Sequence, residues 1–255
     1  MLKKTLYITG AGVSTESGIP TFRGQDGFWT IGSKNYTPQD MATHRMYMTK
    51  PDEFLLWYFK RFAHYRNVKP NNVHHWLSNK QLITQNIDGL DGKAGNTNYI
   101  PIHGRLDKVT VLDKGSLNAP LLDAPWDRVV YQCNDLADDK RLKLLLLDAF
   151  KISSSKLVPE PNVSLKPFVL LFDEYYTELF RMSEAVKWVQ NARCLIFIGT
   201  SFSVGITNFA LRSALSNNSE IKVVDPNPVD LNYAGIKYYQ MKASEFISAE
   251  LSPQI

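Results

Sequence analysis

Cysteine is scarce in this chain, which has two cysteines, Cys133 and Cys194, among 255 residues. Two thiols so far apart in the sequence, in unlike surroundings, argue against a disulfide-stabilised scaffold. Cys194 lies in an apolar run typical of a strand, so we predict a core position for it. The sequence also lacks the ~18 unbroken apolar residues that a membrane span needs. Residues 1–9 carry two lysines without the apolar core of a signal peptide. These features favour a soluble, cytoplasmic protein without a membrane partner.

The sequence also lacks a large excess of either positive or negative residues. The chain has 29 Lys and Arg against 25 Asp and Glu, a formal net charge of +4. No block of basic residues alternates with aromatic residues, as nucleic-acid binders require. The charge pattern therefore predicts no nucleic-acid partner. With 44% hydrophobic residues, the chain is long enough for one α/β domain with an insertion or for two small domains.

What the sequence does contain is a repeated alternation of short apolar runs and helical patterns. This alternation is typical of βαβ units that build a parallel sheet. We therefore predict an α/β fold with a Rossmann-like parallel sheet flanked by helices. The predicted strands lie near Thr5 to Thr9, Gln81 to Thr84, Tyr99 to Ile102, Phe168 to Phe172, Cys194 to Ile198, Ile221 to Val224 and Lys237 to Gln240.

Two segments interrupt the alternation. Residues 33–79 have mostly helical patterns, with a predicted helix from Asp52 to Tyr65, and residues 105–166 are irregular apart from a helical stretch near Asp138 to Phe150. We predict that 33–79 and 105–166 pack together as a smaller inserted domain. The sheet domain then comprises residues 1–32, 80–104 and 167–255.

The first predicted strand leads into a run of small residues from Gly10 to Gly24. A strand that ends in small residues and opens a helix can bring backbone N–H groups to a pyrophosphate. The usual G-x-G-x-x-G spacing fails at Thr15. The run nevertheless predicts a nucleotide-binding loop.

Other predicted strands also end in polar motifs. Ligands of open α/β sheets bind beyond the carboxyl ends of the strands, so these motifs predict one common site. Gln85, Asn86 and Asp88 offer groups for ribose hydroxyls and an amide, or alternatively cap the next helix. His103 ends a strand, and a pKa near neutrality suits a general base. The remaining histidines are interpreted as structural or surface residues: His44, His64, His74 and His75.

The Gly10 to Gly24 run resembles the signature of the sirtuins, NAD-dependent protein deacylases. Thr84 to Leu90, His103-Gly104 and Gly199-Thr200-Ser201 resemble further motifs of that family. The resemblance covers roughly residues 5–104 and 167–245. It implies that NAD is the cofactor and that an acyl-lysine peptide or protein is the substrate. In that family an acyl-lysine oxygen attacks the ribose C1′ and expels nicotinamide, and the acyl group ends on ADP-ribose.

The resemblance also implies the site residues, by position in the matching motifs. Catalytic roles fall to His103, which would activate a ribose hydroxyl, and to Asn86. The substrate-binding residues would be Tyr58, Arg61, Phe172 and Glu174. The cofactor-binding residues would be Gly10, Ala11, Gly12, Ser14, Phe22, Arg23, Gln85, Asn86, Ile87, Asp88, Gly199, Thr200, Ser201, Ser203, Asp225, Asn227 and Ala243.

Three residues depart from the sirtuin pattern. Asp91 stands where sirtuins usually have His, and Asp225 where they commonly have Asn. Asp173 replaces the Gly of a Phe-Gly-Glu element that clamps the substrate peptide. An aspartate there adds charge and bulk where a peptide should lie.

Most sirtuins hold a structural zinc with two Cys pairs, and this chain cannot supply them. Between His103 and Phe172 it has one cysteine, Cys133, and no other histidine, so four N or S ligands cannot be assembled. We predict a smaller domain without zinc. Apolar packing would hold it together, around Leu142, Leu144, Leu145, Leu146 and Phe150.

Tyr58 and Arg61 match the spacing of a Tyr-x-x-Arg pair with which some sirtuins recognise acidic acyl groups. Residues i and i+3 share a helix face, so a phenol and a guanidinium could bind one carboxylate. Alternatively, the aromatics Trp57, Tyr58 and Phe62 are core residues and Arg61 extends to solvent.

Two other functions stay open for the same motifs. NAD glycohydrolysis or ADP-ribosyl transfer would use the same pocket with water or another nucleophile. A non-catalytic NAD-sensing module is the second alternative. Asn86, Asp88 and His103 are all present, which argues against the module, because binding alone does not require this set.

Overall fold

The computed structural model describes residues 4–21, 36–112 and 120–251, without the side chains of 62–64. The described residues form two compact units. The first falls within Met1–Thr21, Val68–His103 and Arg181–Ile255. The second falls within Phe22–Asn67 and Gly104–Phe180.

A parallel sheet is the centre of the first unit. Its six described strands are β1 (Thr5–Thr9), β2 (Leu82–Thr84), β3 (Tyr99–Pro101), β7 (Cys194–Ile198), β8 (Glu220–Val224) and β9 (Ile236–Tyr239). They follow the order β3-β2-β1-β7-β8-β9, and every neighbouring pair is parallel. The predicted α/β class and parallel sheet are confirmed, and β1 and β7 have the predicted bounds.

The central strands are buried on both faces, as a parallel sheet covered by helices requires. Leu6, Ile8 and Leu195 have no exposed surface, and Cys194 is buried among them as predicted. The register pairs Thr9 with Thr84 on one side and with Ile198 on the other. The polar segments that follow these three strands therefore begin at one edge of the sheet.

Helices of the first unit pack on this sheet. They are α4 (Asn72–Leu77), α5 (Leu90–Lys93), α8 (Met182–Asn191), α9 (Gly205–Ser216) and α10 (Ala243–Leu251), with a 3₁₀ helix at Ala11–Ser17. The sequence boundary assigned α4 to the inserted segment 33–79, whereas the structure places it in the sheet unit. Val73 and Leu77 of α4 share a core cluster with Tyr7 and Leu82, and this packing explains the difference.

The second unit contains helices and a small antiparallel sheet. Its elements are α1 (Pro38–Met41), α2 (His44–Thr49), α3 (Pro51–Tyr65), β4 (Gly104–Val111), β5 (Leu122–Asp123), α6 (Trp126–Gln132), α7 (Asp139–Ala149) and β6 (Leu165–Val169). The strand predicted at Phe168 to Phe172 is found three residues earlier, as β6. It pairs antiparallel with β4, in the described order β5-β4-β6, rather than joining the parallel sheet.

Residues 105–166 are more regular than their sequence indicated. The pattern of β4 is obscured by Arg105, Asp107 and Lys108 and by a register shift between Arg105 and Val109. In α7, Leu142, Leu145, Leu146 and the following Phe150 are buried as predicted. Leu144 is 52% exposed, so its predicted core role is wrong, because it lies off the i, i+3, i+4 face.

Aromatic contacts link the helices of this unit. The ring centroid of Trp126 lies 4.9 Å from that of Phe150 and 6.3 Å from that of Phe59. The indole Nε1 of Trp126 donates to the carbonyl of Leu106 at 2.7 Å. This packing supports the predicted apolar core of the smaller domain.

In the part of the chain that the structure describes, no helix is long and apolar enough to cross a membrane. Cys133 and Cys194 are buried and are not joined in a disulfide. The described residues also contain no group of three His, Cys, Asp or Glu side chains that could hold a metal ion. Cys133 Sγ instead contacts the carbonyl of Asp135 at 3.1 Å.

We expect the purified protein to contain no stoichiometric zinc. A structural zinc site needs four N, S or O ligands, and residues 105–166 contain a single cysteine, Cys133, and no histidine. Elemental analysis by plasma mass spectrometry measures the metal content, and a chelator should leave thermal unfolding unchanged. About one zinc per chain, lost together with the folded state on chelation, would contradict this prediction.

Candidate active site

The loop after β1 lies against the end of β7 at backbone distance. A Cβ atom added to Gly10 would meet the carbonyl oxygen of Gly199 at 2.6 Å, and one added to Gly12 would meet the Gly199 Cα at 2.6 Å. Real Cβ atoms do not approach so closely, so this contact requires glycine. The N–H groups of Gly10 and Gly12 donate to the carbonyls of Ile198 and Gly199, both at 3.0 Å. Those two amides hold the loop, rather than pointing at a phosphate as the sequence suggested.

Asn86 lies in the middle of this edge and is buried. Its Nδ2 donates to the carbonyl of Gly10 at 3.0 Å and to Ser14 Oγ at 3.2 Å. Its Oδ1 is buried and has no hydrogen-bond partner among the described residues. Buried polar atoms are nearly always paired. This oxygen therefore marks a place where a ligand can donate a hydrogen bond.

Ser14 connects Asn86 to an acidic residue. Its hydroxyl donates to Asp88 Oδ2 at 2.7 Å, and His74 Nε2 lies 3.5 Å from the same Oγ. His74 is completely buried, and burial, assisted by the charge of His75, lowers its pKa to about 4. The neutral imidazole of His74 thus lies beside the Ser14 hydroxyl. The sequence analysis did not predict that His74 contacts Ser14. The signal nearest to it is Asn71, which caps α4 and contacts the same imidazole ring.

His103 follows β3 and is anchored by the neighbouring strand end. Its Nδ1 lies 3.0 Å from the carbonyl oxygen of Gln85 and donates to it. The neutral ring then carries its lone pair on Nε2. Burial lowers the pKa of His103 to about 4, against the opposing effect of the Gln85 hydrogen bond. The predicted near-neutral pKa is therefore wrong, because burial disfavours the imidazolium.

The structure joins two more predicted cofactor residues to this cluster. Gln85 Nε2 donates to Thr200 Oγ1 at 3.1 Å and to the carbonyl of Thr9 at 3.0 Å. Thr9 and Thr84, which the sequence analysis did not assign to the site, are buried beneath it and hydrogen-bonded to each other at 2.9 Å.

The other predicted cofactor residues are not in these contacts. Ser201 and Ser203 are hydrogen-bonded to each other at 2.8 Å, and Asp225 Oδ1 accepts from the N–H of Asn227 at 2.8 Å. Ala11 begins the 3₁₀ helix, Ala243 begins α10 and Ile87 is half-buried. Phe22 and Arg23 lie outside the described residues.

Tyr58 and Arg61, the predicted acyl-recognition pair, are both buried on α3 in the second unit. The Arg61 guanidinium stacks over the Trp57 ring at 3.9 Å, so it does not extend to solvent. Burial lowers the Arg61 pKa to about 10, which leaves the side chain charged at neutral pH. Burial and the nearby charge of Glu174 raise the Tyr58 pKa, with an opposing effect of Arg61.

The Phe172-Asp173-Glu174 segment is tied to its own unit. Asp173 accepts hydrogen bonds from the N–H groups of His44 at 2.5 Å and Arg45 at 3.0 Å, at the start of α2. Glu174 accepts from Lys166 Nζ at 3.0 Å and contacts His44 Nδ1 at 3.1 Å. The Phe172 side chain is 57% exposed. The negative charge of Asp173 is therefore stabilised by backbone N–H groups at the N-terminus of α2.

We expect Asp173→Ala to lower the free energy of unfolding by ~1 kcal/mol, the usual contribution of a side chain that accepts from the first amides of a helix. Burial opposes ionisation of Asp173, but the hydrogen bonds from Arg45 and His44 prevail and lower its pKa. Its contribution is therefore present above the unfolded pKa of about 4 and lost as pH falls below it. Urea unfolding at pH 7 and pH 3 measures both effects. Equal stability of both proteins at pH 7 would contradict this.

Comparison with known proteins identifies the family. The model of the Sir2 family matches residues 10–205. The chain belongs to the Sir2 family. The resemblance inferred from its motifs is thus confirmed. An NAD-dependent protein deacylase 1 of Caldanaerobacter subterraneus is 31% identical over 251 residues, which cover 95% of this Sir2 chain and 90% of the relative. An NAD-dependent protein deacetylase of Clostridium tetani is 31% identical over 78% of this chain and 73% of its own length.

Solved structures agree with this assignment. A Sir2 homologue in complex with NAD superimposes with a TM-score of 0.70 at 27% identity, covering 97% of this Sir2 chain and 88% of that one. A mutant Sir2 homologue in complex with 2′-O-acetyl ADP-ribose gives a TM-score of 0.70 at 26% identity, covering 100% and 96%. The similarity extends across both units of the chain.

Proposed function

We propose that this Sir2 protein is an NAD-dependent protein-lysine deacylase, which transfers an acyl group to ADP-ribose and releases nicotinamide. The observation that carries the proposal is the buried Asn86 amide, whose Oδ1 lacks a partner among the described residues, beside Ser14 and Asp88. Named relatives with up to 95% coverage of this chain are NAD-dependent deacylases and deacetylases.

The residues present fit NAD. Asn86 offers Oδ1, which is buried and has no partner among the described residues, as an acceptor for a carboxamide N–H. When bound, NAD supplies ADP-ribose as the acyl acceptor and nicotinamide as the leaving group. The other cofactor contacts of this proposal are those that the sequence motifs imply, including Phe22, Arg23, Ser201, Ser203, Asp225, Asn227 and Ala243.

His103 is proposed as the general base. Because its Nδ1–H is held by the Gln85 carbonyl, its Nε2 is the nitrogen that can accept a proton from a ribose hydroxyl. The low pKa keeps the ring in this neutral form at physiological pH. Asn86 and Asp88, joined through Ser14, would orient the amide of the leaving group.

The second unit is proposed to bind the acyl-lysine substrate. The exposed Phe172 side chain can contact a peptide, and Glu174 holds its segment through Lys166 and His44. Tyr58 and Arg61 would contact the acyl group. We also propose a cytoplasmic location, which the lack of a disulfide between Cys133 and Cys194 supports.

Mass spectrometry of the products tests the function. The protein is incubated with NAD, with and without an acetyl-lysine or succinyl-lysine peptide. Acyl-ADP-ribose that depends on the peptide is the expected product. Free ADP-ribose without peptide would instead establish NAD glycohydrolysis, and ADP-ribosylated peptide would establish ADP-ribosyl transfer. No turnover with any acyl peptide would support the non-catalytic NAD-sensing alternative.

A further inference from the structure

Trp57 carries a buried hydrogen-bond donor beside the predicted acyl-recognition pair. It lies on α3 and is half-buried, and its indole Nε1 is buried without a hydrogen-bond partner among the described residues. Trp126 in the same unit has the usual arrangement, since its Nε1 donates to the Leu106 carbonyl at 2.7 Å. Buried polar groups are nearly always paired, because an unpaired one is costly. The Trp57 N–H can therefore donate to an acceptor that the described residues do not supply.

The Trp57 ring packs against both residues of the pair. Arg61 Cζ lies 3.9 Å from the centroid of the Trp57 ring. The ring centroids of Trp57 and Tyr58 are 4.8 Å apart, with their planes at 86°. Tyr58 also packs on the completely buried Phe54, at a centroid distance of 4.7 Å. Trp57 and Arg61 are four residues apart and share a helix face. The indole, the phenol and the guanidinium thus form one cluster on α3.

The charge of this cluster suits an anion. Arg61 stays charged at neutral pH, because burial lowers its pKa only to about 10. The acidic residue whose charge acts on Tyr58 is Glu174. Glu174 is paired with Lys166 Nζ at 3.0 Å and contacts His44 Nδ1 at 3.1 Å. A carboxylate has two oxygens that each accept more than one hydrogen bond. One carboxylate can therefore accept from a guanidinium and from an indole N–H together.

We propose that Trp57 is a specificity-determining residue, whose indole N–H donates a hydrogen bond to the terminal carboxylate of an acidic acyl-lysine, beside the Arg61 guanidinium. The ligand class is a dicarboxylic acid joined to lysine through one of its carboxyl groups, as in succinyl-lysine. An acetyl group has no second carboxylate and leaves the Trp57 N–H unpaired. This inference rests on the proposed function, and it adds a residue that the Tyr-x-x-Arg spacing does not include.

Trp57→Phe tests the donor, because phenylalanine keeps an aromatic face for Arg61 but has no N–H. The measurement is kcat/KM for succinyl-lysine and acetyl-lysine peptides of one sequence. We expect the succinyl-to-acetyl ratio to fall by roughly 10-fold or more, as for a lost hydrogen bond to a charged group. The value for the acetyl peptide should change little. A residue that only fills the core would lower both values by one factor, and an unchanged ratio would overturn the proposal.

Trp76→Phe is the matched control. Trp76 lies on α4 in the first unit, and Lys80 Nζ lies 5.1 Å from the centroid of its ring. It is therefore another tryptophan beside a cation, outside the acyl cluster. Its succinyl-to-acetyl ratio should equal that of the wild type. An equal fall of the ratio in both variants would show that the effect does not come from the acyl cluster, and it would overturn the proposal.

The indole proton of Trp57 gives a test that needs no catalysis. The chain has five tryptophans, and the indole signal that is missing from the proton–nitrogen NMR spectrum of Trp57→Phe identifies Trp57. We expect this signal of the wild type to move downfield when a succinyl-lysine peptide is added without NAD. With an acetyl-lysine peptide it should stay near its position. A signal that does not move at any succinyl-peptide concentration would overturn the proposal, because the substitution would then act only through the stacking of Arg61.

These readouts distinguish failure of this inference from failure of the proposed function. If the wild type forms no acyl-ADP-ribose from any peptide, the proposed function fails, and calorimetric affinities for the two peptides replace kcat/KM in the same comparison. The NMR measurement is unaffected by that outcome. A Trp57 signal that moves equally with both peptides would show that the N–H meets the amide carbonyl that they share. That result would overturn the inference and leave the deacylase proposal standing.

Discussion

Replacing His103 with alanine is expected to reduce acyl transfer by ~10² or more, the usual contribution of a general base, while NAD affinity stays nearly unchanged. The imidazole is held through Nδ1 by the Gln85 carbonyl at 3.0 Å, which directs the basic Nε2 away from that anchor. Alanine removes the proton acceptor. It leaves the Asn86, Ser14 and Asp88 hydrogen bonds in place, since none of them includes His103.

Single-turnover rates of acyl-ADP-ribose formation, together with calorimetric NAD affinities, measure this prediction. His75→Ala is the matched control, because His75 is an exposed histidine of the same unit and should leave both quantities unchanged. The pH profile adds a second criterion. Because burial lowers the His103 pKa to about 4, the acidic limb assigned to this residue should lie near pH 4 rather than near the usual value of about 6.5. A His103→Ala enzyme with full acyl-transfer rate would show that another group is the base.

The sheet could be predicted from the sequence because its strands are short apolar runs that end at glycine or polar residues. Thr5–Thr9 and Cys194–Ile198 are buried on both faces, so hydrophobicity alone sets their bounds. The same logic failed for Gly104–Val111, where half-buried charged residues lie in a strand with a register shift. It also placed β6 too late and in the wrong sheet, since an apolar run does not reveal which strand it pairs with.

Proximity was predictable from residue type at the strand ends: Asn86 and Asp88 both contact Ser14, and His103 contacts Gln85. It was not predictable where a role depends on tertiary contacts. His74 has no distinguishing sequence context, yet it lies 3.5 Å from Ser14 Oγ. Asp173 is read from its motif as an obstacle, yet its carboxylate caps α2. The low pKa of His103 likewise depends on burial, which the sequence does not show.

The second large effect is expected on the preference of the enzyme among acyl groups. Arg61→Met is expected to reduce the discrimination for succinyl-lysine over acetyl-lysine by roughly 10-fold to 150-fold, since a charged hydrogen bond to a carboxylate contributes ~1.5 to 3 kcal/mol. Arg61 stays charged at neutral pH, with a pKa of about 10. Its burial reduces screening by salt, which strengthens attraction to an acidic acyl group. Tyr58, three residues earlier on α3, adds a hydroxyl on the same face.

Methionine keeps much of the apolar stem that packs on Trp57, so the substitution mainly removes charge. The measurement is kcat/KM for succinyl and acetyl peptides of one sequence, because specificity is a difference in transition-state affinity. Arg66→Met is the matched control, since Arg66 follows α3 and pairs with Asp127 at 3.2 Å. Its succinyl-to-acetyl ratio should equal that of the wild type. If Arg61→Met also keeps that ratio, the stacking of Arg61 on Trp57 is structural, and the acyl preference must come from other residues.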